Sequence, residues 1–119
     1  MKKISVDIPQ HCQQSLTGIR DLQDLVGGKW KLTIISTLFY VGKLRFIVLM
    51  RYMEGIAPKV LSKELRDLEM NHMVKRTVCD TKPVTVEYEL TELGNTFSEV
   101  LGAMANWGVA YRKTVIKNR

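Results

Sequence analysis

Lys59, Ser62, Lys63 and Arg66 recur at spacings of three and four, which brings side chains to one side of a helix. Ammonium and guanidinium groups with a hydroxyl in such a row are donors for phosphate oxygens, and Arg, Lys or Ser in reach of a major groove can also read base edges. Arg66 is the best candidate for a base edge or an adjacent phosphate, because its planar fork binds bidentately. Ala57 and Pro58 would approach the groove at the start of that helix, and Ala57 can touch a thymine methyl. Lys82, further along, is placed for phosphate or minor groove. Lys43 and Arg45, upstream, are candidates to clamp a backbone, and each serves equally well as a solvated charge. A solvated surface helix would carry the same row, so the elements around it have to decide.

Leu61, Leu65 and Leu68 make an apolar stripe opposite those donors, which predicts an amphipathic helix over 57–71. Pro58 falls in its first turn, where a missing N–H is tolerated. Before it stand the turn Glu54-Gly55-Ile56 and a predicted helix from Leu44 to Met53, with Phe46, Leu49 and Met50 inward. Two helices joined by a short Gly-containing turn read as a helix-turn-helix, or as an ordinary αα-hairpin. After Asn71 the period changes to two: Val84, Val86, Tyr88 and Leu90 alternate with polar residues, and Met73 to Cys79 supplies a partner strand. Asp80-Thr81-Lys82-Pro83 forms the hairpin tip. Helix, turn, helix and hairpin in that order predict a mainly α fold with a small β-hairpin, a winged helix-turn-helix.

The flanks complete the domain. Residues 1–15 read as a flexible arm and 16–119 as the winged domain. A first helix is expected from Leu16 to Val26, with Ile19, Leu22, Leu25 and Val26 apolar, ended by Gly27 and Gly28. A second, from Lys29 to Tyr40, carries Trp30, Ile34, Ile35 and Leu38 at helical spacing. The last helix, about 91–116, opens at Thr91, a good N-cap, with Glu92 suited to the helix dipole. Its stripe of Phe97, Leu101, Met104, Gly108, Tyr111 and Val115, widened by Val100 and Trp107, offers more apolar surface than a cap requires, so part of it is expected to pair with a second copy. The basic residues Arg112, Lys113, Lys117 and Arg119 suit its C-terminus.

Composition narrows the function. The chain has 119 residues, 45% hydrophobic and 25% charged, with a net charge of +6. That balance suits a polyanionic partner such as double-stranded DNA. No apolar run approaches the roughly 20 residues needed to span a bilayer, so no membrane partner is expected. The opening MKKISVDIPQHCQQS lacks the apolar segment of a secretory signal. Cys12 and Cys79 therefore read as free thiols in a reducing cytoplasm. With His11 and His72 they lack the close paired spacing of zinc ligands, so no metal site and no cofactor are expected. No Ser/His/Asp set, phosphate-binding Gly loop or paired acids in an apolar setting appears, which argues against an enzyme.

At this point the chain resembles the HxlR-type winged-helix transcription regulators, relatives of the MarR group. The resemblance rests on LVGGKWKL at 25–32, LRFIVLMRYMEGIAPKVLSKELRDLE at 44–69, VKRTVCDTKPVTVEYELTELG at 74–94 and the tail helix with Trp107-Gly108. It implies a homodimer whose first and last helices form the interface, with Leu22, Phe97, Leu101, Met104, Trp107 and Tyr111 as dimerisation residues. It also implies one recognition helix and one wing per subunit on operator DNA. Related regulators bind small aromatic effectors at the dimer seam, where Trp30, Phe39, Trp107 and Tyr111 could line a pocket or simply fill the core. Many members carry a Cys-Pro pair upstream of the GG pair. Here Thr17-Gly18 stands at that place and Cys12 lies earlier, so a cysteine switch is not carried over. Ala57 replaces the Ser or Thr of many members, losing a helix cap worth about 1 kcal/mol. The alternative is a winged-helix module whose exposed helix binds a protein instead of DNA.

Overall fold

The computed structural model describes residues 8–116. Helix α1 spans Gln10–Val26, α2 Lys31–Val41, strand β1 Leu44–Arg45, α3 Phe46–Tyr52 and α4 Pro58–Met70. Strands β2 (Val74–Cys79) and β3 (Thr85–Leu90) follow, then α5 (Glu92–Asn95), α6 (Ser98–Tyr111) and a π-helical extension over Arg112–Ile116. The chain is a winged helix-turn-helix, mostly helical, with a three-stranded antiparallel sheet of order β1-β3-β2.

The core forms where the helical and strand periodicities meet. Ile34, Ile35 and Leu38 of α2, Leu49 of α3, and Leu61, Leu65 and Leu68 of α4 pack with Met53, Ile56, Met73 and Val74. Tyr88 and Leu90 close it from β3, and Phe97 and Leu101 from the last helices. Phe46 and Met50 are half-covered against this core, as expected for the inward side of α3. Gly55, at φ +87°, makes the turn between α3 and α4 in a backbone region that costs a side-chain-bearing residue dearly. At the helix start the backbone of Ala57 is extended and its side chain offers no cap, so Pro58 opens α4 at a position that needs no N–H.

Three boundaries differ from expectation. The first helix begins at Gln10 rather than Leu16, so residues 10–15 are helical and not an irregular arm; the part of that expectation that falls on residues 1–7 lies outside the described residues. The stretch before Leu16 has too few apolar residues to show a period. It is held locally instead: Cys12 and Gln13 N–H donate to the Pro9 carbonyl at 2.9 and 3.0 Å, and the Ser15 and Thr17 hydroxyls donate to carbonyls one turn back. Cys12 therefore sits in a helical turn.

Leu44 and Arg45, expected to open α3, form β1 instead and pair with Tyr88 and Glu87 of β3. The expected two-stranded wing is thereby tied to the helices by a third strand. Finally, the tail is not one helix over 91–116. Thr91 does cap it, accepting from the Gly94 N–H at 2.9 Å, but α5 stops at Asn95. Gly94 packs directly against the Met73 carbonyl and the Leu90 side chain, and the Thr96 hydroxyl donates to the Leu93 carbonyl. The bend turns Phe97 and Leu101 into the core before α6 runs on. The expected basic end divides: Arg112 and Lys113 are exposed, and Lys117 and Arg119 lie outside the described residues.

Candidate nucleic-acid interface

Helix α4 presents Lys59, Ser62, Lys63 and Arg66 to solvent, while Leu61, Leu65 and Leu68 are each no more than 1% exposed. The stripe anchors the helix and fixes the direction in which the donors point. Ala57 and Pro58 are exposed at its N-terminal end, and Lys82 is exposed at the wing tip, where the Thr81 hydroxyl donates to the Pro83 carbonyl.

One flank of α4 is neutralised by an ion-pair network. Lys31, from the start of α2, donates to Glu64 Oε2 at 2.9 Å and lies 3.2 Å from Asp67 Oδ2. Lys63 Nζ in turn reaches Asp67 Oδ2 at 3.3 Å and Glu64 Oε1 at 3.8 Å. Glu64 is the one charged side chain buried among the described residues. Burial alone would pull the Lys31 ammonium down, but its hydrogen bonds to Glu64 and Asp67 outweigh that and hold it above its ordinary value. Hydrogen bonds from Lys31 and Lys63 hold the Asp67 carboxyl below its own. The network fixes the rotation of α4 against α2. It also means that Lys63 must share or leave Asp67 to meet a phosphate. The sequence reading passed over Glu64; a carboxylate between Leu61 and Leu65, on the apolar side, was the available sign.

The opposite flank faces the hairpin. About 100° per residue puts Ser62, Arg66 and Glu69 on that side. They line a cleft with Arg76 of β2 and Tyr88 of β3. Arg76 and Tyr88 are cross-strand partners, and the buried Tyr88 ring floors the cleft, tilted against Phe46 at 6.3 Å. A second, apolar groove adjoins it, with Phe46, Ile47 and Val86 as walls and Arg45 and Ser62 among its lining. Lys43, like Lys63, is already paired, with Glu89 at 3.4 Å. Arg45 stands exposed opposite Glu87.

The expected dimer residues divide in two. Phe97 and Leu101 belong to the chain's own core, at 8% and 5% exposed. Met104, Trp107, Tyr111 and Val115 are 40%, 69%, 45% and 60% exposed, and Trp107 stacks on Tyr111 at 5.2 Å. Leu22 is half-covered, whereas Leu16 and Ile19 of the same helix are exposed. Of the expected effector aromatics, Trp107 and Tyr111 are brought together, and within the single chain none of the five clefts among the described residues is lined by Trp30, Phe39, Trp107 or Tyr111. Phe39 instead meets Tyr40 edge-on, and the Lys29 ammonium lies 4.7 Å over the Trp30 ring.

Cys12 and Cys79 are both free thiols, and Cys79 Sγ lies 3.2 Å from Glu87 Oε1. Among the described residues no cluster of His, Cys, Asp and Glu is placed to hold a metal, and no helix is long and apolar enough to cross a membrane.

Known proteins share this arrangement. The HxlR-like helix-turn-helix family matches residues 25–115. The uncharacterised HTH-type transcriptional regulator YtcD of Bacillus subtilis is 39% identical over 85 residues, which cover 71% of this chain and 67% of that one. An uncharacterised HTH-type transcriptional regulator of Methanothermobacter thermautotrophicus is 40% identical over 86 residues, 72% of this chain and 65% of its own. Among solved structures, the redox regulator HypR in its reduced form superposes with a TM-score of 0.76 at 32% identity, covering 86% of this chain and 99% of that one. A MarR-family regulator from Enterococcus faecalis V583 gives 0.75 at 29% identity, with 97% and 99% covered. With its buried leucine stripe, exposed donor row and adjoining wing, the chain belongs to the HxlR-like helix-turn-helix family and is a DNA-binding transcription regulator.

Proposed function

We propose that the protein acts, without enzymatic activity, as a homodimer that reads an inverted-repeat operator, with one α4 and one wing per subunit on the duplex. The observation that carries the reading is the division of α4 between three buried leucines and the exposed Lys59, Ser62, Lys63 and Arg66. Lys59 and Lys63 are assigned to phosphates, Arg66 to a base edge or an adjacent phosphate, and Lys82 to the flanking phosphate or minor groove. Ala57 and Pro58 bring the helix N-terminus into the groove.

Dimerisation is supported by apolar surface that the chain leaves uncovered. Helix α1 has no buried residue and leaves Leu16 and Ile19 exposed, while helices in proteins draw most of their stability from packing an apolar face. The exposed Met104, Trp107 and Tyr111 of α6 supply a second apolar surface of the same kind. A small-molecule effector at this seam would have the α2–α6 groove, lined by Leu32, Tyr40, Leu101 and Met104, as its position.

A twofold dimer places its recognition helices in successive major grooves, about 34 Å apart. Selection of bound duplexes from a random pool should therefore return an inverted repeat. Inserting about five base pairs between half-sites turns one of them by roughly half a turn and should abolish cooperative binding, with about ten hurting less. A direct repeat, or no enriched sequence, would refute the operator reading. Met104→Glu with Trp107→Glu should sediment as a monomer without disturbing the core; a dimer that persists would move the interface elsewhere.

A further inference from the structure

The hairpin carries a cation away from its tip, on the strand face that packs against α4. Val74, Arg76 and Val78 alternate on one side of β2, and Val74 is 2% exposed in the core. Arg76 thus leaves the core at its edge and enters the cleft lined by Ser62, Arg66 and Glu69. The Arg66 and Arg76 guanidiniums share this cleft. Neither belongs to any ion pair within 4 Å among the described residues, in contrast to Lys31, Lys43 and Lys63. Two guanidiniums flanking one cleft repel each other until an anion lies between them. Each presents a planar fork suited to phosphate oxygens, and Ser62 adds a hydroxyl donor.

We propose that Arg66, Arg76 and Ser62 form a binding site for one backbone phosphate of bound duplex DNA, held between the recognition helix and the wing. The inference rests on the DNA-binding reading and adds to it a wing residue outside the hairpin tip. The site spans the exposed face of α4 and the strand face beside it. A phosphate bridging them fixes the wing against the groove, so that Lys82 and α4 address the same stretch of duplex. Arg66, when it holds this phosphate, contributes to register and not to base choice. Glu69 is the opposing group in the cleft, and its carboxylate weakens the site.

The test is the salt dependence of binding by fluorescence anisotropy, on a selected duplex and on an unrelated one, for the wild type, Arg76→Ala and Arg76→Lys. Arg76 is exposed, and circular dichroism checks that each variant is folded. Arg76→Ala should weaken both duplexes alike and reduce the slope of log K against log salt by about 0.9. Arg76→Lys should keep the slope, since it retains the charge. Glu69→Gln should tighten both duplexes a few-fold.

A wild-type slope and affinity in Arg76→Ala would overturn the proposal while leaving DNA binding intact. Inorganic phosphate is the second arm. Stabilisation of the wild type by millimolar phosphate against chloride, lost in Arg76→Ala with the DNA slope unchanged, would reassign the cleft to a free anion. A wild type that binds no duplex from the random pool would refute the DNA reading itself, and this site with it.

Discussion

The two flanks of α4 carry charge in opposite ways. On the α2 side, Glu64 and Asp67 face Lys31 and Lys63, with every charge within 4 Å of a counter-charge. On the wing side, Arg66 and Arg76 share a cleft with no such partner among the described residues. The neutralised flank holds the helix at one rotation against the body of the domain. The uncompensated flank keeps its donors available to a polyanion. In the proposed reading, one helix thus separates placement from recognition by where its partners come from, the core helices on one side and the nucleic acid on the other.

The largest effect should come from breaking the neutralised flank. Lys31→Met leaves the buried Glu64 with only Lys63, 3.8 Å away. Urea unfolding should show a loss of about 2 kcal/mol, less than for a fully enclosed pair because solvent reaches the edge of the network. Adding Glu64→Leu should restore most of it, since replacing both partners removes the uncompensated charge. If the double variant is no better than the single, the pair is not what positions α4.

Arg66 is the sharpest test of the open flank. If it reads a base, Arg66→Ala should relax preference by about 1–3 kcal/mol at one operator position, measured by competition among single-substitution duplexes. A uniform loss across all of them would assign it to the phosphate it shares with Arg76.

A smaller effect is expected from the two exposed lysines of α4. Lys59→Ala and Lys63→Ala together should lower the salt slope by about 0.9 for each phosphate that is no longer neutralised. Lys63 already pairs with Asp67, so its share should be the lesser of the two; equal shares would mean that the pair opens at no cost.

Asp67 gives the smallest effect. Its carboxyl is held below its ordinary value of 3.8, so what it adds to stability is present above that value and fades as pH falls through the lower, folded one. Lys31 is raised above 10.5, so its part is complete below that value and fades only as pH rises past the folded one. Asp67→Asn should therefore flatten the acid limb of the stability profile and leave neutral pH little changed. It should also bind DNA slightly tighter by releasing Lys63. An acid limb identical to wild type would show that Asp67 is not part of the tie.

Much of this molecule is local and therefore legible in the chain. Leu61, Leu65 and Leu68 at helical spacing, Val86, Tyr88 and Leu90 at strand spacing, and Thr91 as a cap each follow from backbone geometry a few residues long. They were enough to place the donor row on a helix beside a wing. The irregular reading of residues 10–15 failed for the converse reason: those residues lack an apolar period, and their helix rests on hydrogen bonds to nearby carbonyls.

The tertiary structure decided whatever needed a partner distant in sequence. Leu44 and Arg45 become strand only because β3 offers a free edge to them. The tail helix breaks between Asn95 and Ser98, just past the close approach of Gly94 to the Met73 carbonyl, with Phe97 and Leu101 inward and Met104, Trp107 and Tyr111 outside. Glu64 acquires its partner from Lys31, and Arg76 comes to share a cleft with Arg66. Periodicity tells which way a side chain points from its own element. Whether it meets a counter-charge, an apolar wall or water depends on how the elements pack, and that is a property of the whole chain.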